Sequence, residues 1–165
     1  MSVLLIDAGN SRVKWVRVEN GVWQQQGVLE NVQITARLFD GMPPLERILA
    51  SNVAGEQTAH QLREACAGLM CEIEFIHAQP IQCGVRNTYQ QPAQLGSDRW
   101  AALIAAWQQE QRACLVVCCG TATTIDALSE QGVFLGGFIL PGLAAMRQGL
   151  PQSARKLADC SGEVQ

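Results

Sequence analysis

Asp7, Gly9, Asn10, Ser11 and Lys14 form a group whose types and spacing could handle a phosphate. The apolar run Val3-Leu4-Leu5-Ile6 reads as a buried strand that delivers the Asp7 carboxylate to its end. Ala8 and Gly9 follow, then the short hydrogen-bonding side chains of Asn10 and Ser11, then Arg12-Val13-Lys14 on a returning strand. Such a turn presents backbone N–H groups and hydroxyls to a phosphate, because glycine permits close approach. Asp7 at the rim would hold a divalent cation, which commonly takes one or two carboxylates plus phosphate oxygens. The same residues also suit an ordinary hairpin with Asp-Gly-Asn turn chemistry.

A second stretch repeats the pattern. In Cys114-Leu115-Val116-Val117-Cys118-Cys119-Gly120-Thr121-Ala122-Thr123-Thr124, Gly120 falls on Gly9, Thr121 on Asn10 and Cys118 on Asp7. Two strand-turn-strand units in one small chain predict duplicated lobes facing each other across a nucleotide. That is the actin-like (ribonuclease H-like), sugar-kinase-like α/β architecture. The lobes are expected at residues 1–112 and 113–165, the second apparently incomplete.

A third candidate is Asp98, in Leu95-Gly96-Ser97-Asp98-Arg99-Trp100. Trp100, Leu103, Ile104 and Trp107 are spaced for one buried helix face. Ser97 is expected as the N-cap, with Asp98 in the first turn. There Asp98 could simply complement the helix dipole. Alternatively, a helix start at a loop mouth could aim an ionised carboxylate into a cleft.

The remaining elements position these groups. Asn20-Gly21 is a strong hairpin signal and predicts a third antiparallel strand from Val22. Residues 48–53 read as a further strand, 55–69 as an amphipathic helix and 73–76 as a short strand. A long connection from His77 to Ser97 holds Tyr89, the one tyrosine, and loops of that length are commonly functional. Strands at 114–119, 122–128 and 132–140 and a helix from about Leu143 complete the pattern.

Composition narrows the class. With 165 residues, 48% hydrophobic and 16% charged, the chain can bury a core and is not of disordered type. A formal charge of −3 without a Lys/Arg cluster argues against nucleic acid. No apolar run approaches the roughly 20 residues that span a bilayer. Met1-Ser2-Val3 enters the first strand without a charged leader, so a cytoplasmic chain is expected. The seven cysteines (66, 71, 83, 114, 118, 119 and 160) include no C-x-x-C pair. Buried reduced thiols are therefore expected ahead of a zinc site.

Together these motifs resemble the type III pantothenate kinases, the family that includes the Bvg accessory factors. The resemblance rests on Asp7 to Lys14, Tyr89 with Pro92, Gly96 to Arg99, Gly120-Thr121-Ala122-Thr123-Thr124-Ile125-Asp126 and Gly136-Gly137-Phe138-Ile139-Leu140-Pro141-Gly142, in the family's order. It implies ATP-dependent phosphorylation of pantothenate, the first step toward coenzyme A, in a cytosolic homodimer. Magnesium and a monovalent cation, potassium or ammonium, are the implied ions. On this resemblance Asp7, Ala8, Gly9, Asn10, Ser11, Arg12, Val13 and Lys14 form the first phosphate loop, with Asp7 near magnesium. Gly120 and Thr121 meet ATP in the second loop. Tyr89, Gly96, Ser97, Asp98 and Arg99 line the pantothenate pocket, and Asp98 accepts the hydroxyl proton. Two departures stand out. Cys118 replaces the family's potassium-binding aspartate, and the second lobe is short. They raise the alternative of a non-catalytic relative that binds nucleotide or pantothenate and acts through a partner.

Overall fold

The computed structural model describes residues 1–153. Strands β1 (Ser2–Ala8), β2 (Arg12–Glu19) and β3 (Val22–Glu30) form an antiparallel meander. Asn20 and Gly21 both take positive φ at the β2–β3 turn, the conformation that an Asn-Gly hairpin turn requires. The chain then passes through a 3-10 turn at Asn31–Gln33 to β4 (Arg47–Asn52), α1 (Glu56–Cys66) and β5 (Ile73–Phe75). Both later strands run parallel to β1, so the first sheet has the order β3-β2-β1-β4-β5. Leu4, Ile6, Ala8, Val13, Ile48, Ala50 and Leu62 are buried together in its core. This burial puts the ends of β1 and β4 side by side, with Asp7 opposite Ser51.

The long connection is more ordered than its Pro and Gly content suggests. It holds a two-stranded hairpin, β6 (Ile81–Gln82) and β7 (Val85–Arg86), and a 3-10 turn at Pro92–Gln94. Buried Asn87 organises it: its backbone N–H donates to Pro80 O, its side-chain amide donates to Pro92 O, and its Oδ1 accepts the Tyr89 N–H. α2 (Ser97–Glu110) follows, then β8 (Cys114–Cys119), β9 (Ala122–Leu128), β10 (Phe134–Pro141) and α3 (Leu143–Ser153). The second sheet, β10-β9-β8, repeats the β3-β2-β1 order of the first. A second core of Val85, Leu95, Trp100, Leu103, Leu128 and Phe134 joins the connection and α2 to that sheet.

The other face of the second sheet carries exposed Leu115, Val117, Phe138 and Leu140. The register places them on one side, with Val117 and Phe138 flanking Ile125. The apolar surface lies on this sheet and not at Tyr89 or Trp100. Trp100 is only 1% exposed, and half-buried Tyr89 packs on Phe134 with ring centroids 5.5 Å apart.

Six cysteines among the described residues are free thiols, and no cluster of three or more His, Cys, Asp or Glu side chains there could hold a metal. No helix among those residues is long and apolar enough to cross a membrane. Cys66, at the buried end of α1, has its thiol pushed up to about 12, by burial first and by Cys71 second. A thiol raised in the folded state stays protonated there while the unfolded chain ionises above its ordinary value. Stability from this group is therefore complete below pH about 9 and falls between about 9 and 12. Urea titrations across that range should lose about 1.4 kcal/mol per pH unit from this site. Cys66→Ala should flatten that limb; an unchanged slope would remove Cys66 as its source.

Candidate active site

The two glycine hairpins are built alike. The Gly9 N–H donates to Arg12 O at 3.0 Å, and the Gly120 N–H donates to Ala122 O at 2.9 Å. Asp7 and Cys118 each stand two residues before their glycine, on the strand entering the turn. The first loop, Gly9 to Ser11, is one residue longer than Gly120-Thr121. That extra residue makes the contact between them: Ser11 Oγ lies 2.8 Å from Thr121 Oγ1. Asn10, Ser11, Arg12 and Lys14 are exposed, while Ala8 and Val13 are core residues that anchor the loop. Half-buried Asp7 has Lys14 Nζ 3.5 Å away.

Two residues outside the sequence-derived set hold these loops. The Asn31 side-chain amide donates to Gly9 O at 2.9 Å and to Asn10 O at 3.2 Å. The Gly142 N–H donates to Thr121 O at 3.0 Å from the start of α3. Gly142 was legible only as part of a motif, and nothing local in the sequence singles out Asn31.

At α2 the cap differs from expectation. Gly96 is the N-cap, and no side chain caps the helix. Ser97 lies inside it, and its hydroxyl sits 2.9 Å from Ser51 Oγ in a buried contact with β4. A tertiary partner has taken the hydroxyl that an N-cap would have used. Asp98 Oδ1 accepts the Arg99 N–H at 2.8 Å. A Cβ on Gly96 would stand 2.6 Å from that same oxygen, so only glycine leaves the Asp98 carboxylate its place. Its second oxygen has no partner among the hydrogen bonds of the described residues, and Asp98 is half-buried.

Arg99 is tied down along one edge of its guanidinium. Its Nε donates to Asp126 Oδ2 at 3.0 Å and its Nη2 to Asp126 Oδ1, a buried bidentate pair. The guanidinium also lies 5.9 Å from the Phe134 ring centroid. The hydrogen bond to Asp126 is the first cause that raises the Arg99 pKa; burial opposes it, and the Tyr89 phenol adds to the rise. Arg99 thus joins Asp98 on its backbone side to Asp126 at its guanidinium, and Asp126 is the member that sequence reading left without a role. The Cys118 thiol is also held up, by its partial burial first, with the Thr124 hydroxyl acting the other way and the Asp126 and Asp98 carboxylates adding to it. The residue as a whole is exposed. A thiol kept protonated offers no anionic oxygen, and Cys118 does not fit a potassium ion.

Residues 3–164 match the profile of the type III pantothenate kinases. The chain belongs to the type III pantothenate kinase family. A type III pantothenate kinase of Nitrosospira multiformis is 46% identical over 164 residues, spanning 98% of this chain and 62% of its own length. One from Aromatoleum aromaticum is 43% identical, spanning 97% of this chain and 67% of its own. The chain therefore spans about two thirds of the length of these curated relatives. Among solved structures, a putative 2-dehydro-3-deoxygalactonokinase of Sinorhizobium meliloti superposes with a TM-score of 0.61 at 14% identity, covering 98% of this chain and 60% of that one. The ethanolamine utilization protein EutJ of Carboxydothermus hydrogenoformans gives 0.50 at 14% identity, covering 94% and 57%. The actin-like, sugar-kinase-like α/β fold expected from the duplicated hairpins therefore stands for this type III pantothenate kinase family member.

Proposed function

We propose that the chain takes part in ATP-dependent phosphorylation of pantothenate to 4'-phosphopantothenate, the first step of coenzyme A biosynthesis. The observation that carries this reading is the meeting of the two hairpin loops at Ser11 and Thr121, beside a helix start that Ser97 fastens to β4. The lobes of this reading are residues 1–112 and 113–165. The first phosphate loop is Asp7, Ala8, Gly9, Asn10, Ser11, Arg12, Val13 and Lys14, where exposed hydroxyl, amide and cationic groups surround a glycine turn. Gly120 and Thr121 form the second.

The donor set fits magnesium bound mainly through nucleotide phosphates, because Asp7 supplies a single half-buried carboxylate. Bound magnesium would neutralise charge on the phosphates. Lys14 places a cation beside Asp7 and adds to the field at the loop. Tyr89, Gly96, Ser97, Asp98 and Arg99 shape the pantothenate side. Asp98 holds one oxygen on the Arg99 N–H and offers the other to the substrate hydroxyl. An aspartate suffices as acceptor because the proton moves late in a loose phosphoryl transfer.

The test is direct. The purified chain, incubated with ATP, magnesium and pantothenate, should form 4'-phosphopantothenate. Absence of product together with measurable pantothenate binding would favour the non-catalytic alternative. A cytoplasmic setting follows from a soluble metabolic substrate. The exposed face of Leu115, Val117, Phe138 and Leu140 supports self-association as a homodimer. Sedimentation at micromolar concentration should show the dimer, and only monomer would count against it.

Cys118 gives a further expectation. Cys118→Asp would put a carboxylate where the potassium-binding aspartate stands in the family resemblance. Phosphorylation should rise about tenfold or more and become potassium-dependent. An aspartate there without a cation is costly beside Asp98 and Asp126, so Tm should drop in potassium-free buffer and recover as potassium is added. A Tm indifferent to potassium, with no gain in rate, would remove Cys118 as a lost cation site.

A further inference from the structure

Asp98 sits between two anchors, and each fastens it to a different sheet. On one side Ser97 holds Ser51 of β4, the strand beside Asp7. On the other, Arg99 is gripped by Asp126 of β9, the middle strand of the second sheet. The second anchor is built to close tolerance. Asp126 is 1% exposed and Arg99 8%. Gly137 of β10 lies opposite Asp126, and a Cβ there would collide with Asp126 Oδ1, stand 2.5 Å from Ile125 O and 3.0 Å from Arg99 Nη2. A two-point fork fixes the direction of the guanidinium as well as its distance. A buried ion pair is a poor source of net stability compared with apolar residues of similar size. The first turn of a helix is also where its backbone is least self-supported.

We infer that Asp126 is a positioning residue: through Arg99 it ties the first turn of α2, and with it the Asp98 carboxylate, to the second sheet. This rests on the kinase reading for its catalytic consequence but not for the anchor itself. Asp98 is thereby held in register with both phosphate loops, one at the end of β1 and the other at the end of β8. Movement of either sheet relative to the other is transmitted to the base.

The experiment uses the full chain with Asp126→Asn and, separately, Asp126→Glu. Asn keeps the shape and weakens the fork. Glu keeps the charge pair and displaces the fork by one methylene, so it also covers the case in which Asn fails to fold. Both should lower kcat for pantothenate about 10- to 100-fold, the scale of a displacement near 1 Å, with KM for ATP unchanged within about twofold. Amide exchange at residues 99–102 should accelerate about tenfold while β1 and β4 keep wild-type rates. A charge-only, structural role predicts that Glu restores wild-type kcat, and that result would overturn the inference, as would wild-type exchange at 99–102 in both variants. If the wild-type chain phosphorylates no pantothenate, the kinase reading fails by itself, and the exchange rates still decide the anchor.

Discussion

Asp98→Asn is expected to leave the fold intact and to lower pantothenate phosphorylation by about 100- to 10,000-fold, the range for removal of a general base. Asparagine preserves the shape that Gly96 makes room for, and its amide oxygen can still accept the Arg99 N–H. What disappears is the second oxygen's capacity to take a proton. The loss should therefore appear in kcat, with pantothenate binding measured by calorimetry changed little. The melting temperature should stay near that of the wild type, because neither Ser97–Ser51 nor Arg99–Asp126 depends on the Asp98 charge. Turnover within about tenfold of wild type would reject Asp98 as the base.

Trp100→Ala is expected to destabilise the chain by about 3–5 kcal/mol, the cost of emptying a large core site. Trp100 is among the largest fully buried side chains, and it packs with Leu95, Leu103 and Phe134. It also reaches outside the apolar core, because its indole Nε1–H donates to Gln82 Oε1 at 2.8 Å. Gln82 belongs to the hairpin that precedes Tyr89. Alanine would thus leave a cavity under α2 and release the connection that carries the pantothenate-side tyrosine. Chemical denaturation measures the first effect. A loss below about 1 kcal/mol would mean that the site collapses around the smaller side chain. Trp100→Phe separates the two effects, keeping most of the volume while losing the bond to Gln82.

Much of this architecture is written in local chemistry. The apolar runs ending at Ala8 and Cys119, the glycines that follow them and the Asn20-Gly21 turn specify both hairpins, because turn geometry and strand period are decided within a few residues. The repeat of one pattern in the other pointed to a duplicated fold, and the spacing of Trp100, Leu103 and Trp107 gave the buried face of α2. Other features depend on residues far apart in the chain. Ser97 reads as an N-cap from its neighbours, yet a serine 46 positions earlier takes its hydroxyl. The resemblance puts Arg99 in the ligand pocket, and only the packing shows that Asp126, 27 positions later, takes the Nε–Nη2 edge of its guanidinium. The meeting of Ser11 with Thr121 spans 110 positions. Such pairs depend on how two sheets and one helix pack, and no local preference encodes which polar group will find which. The sequence by itself determined the hairpins, the helix faces and the family motifs. Only the tertiary structure decided how Asp98 is held between two sheets, because a buried polar side chain takes whichever partner the packing brings within reach.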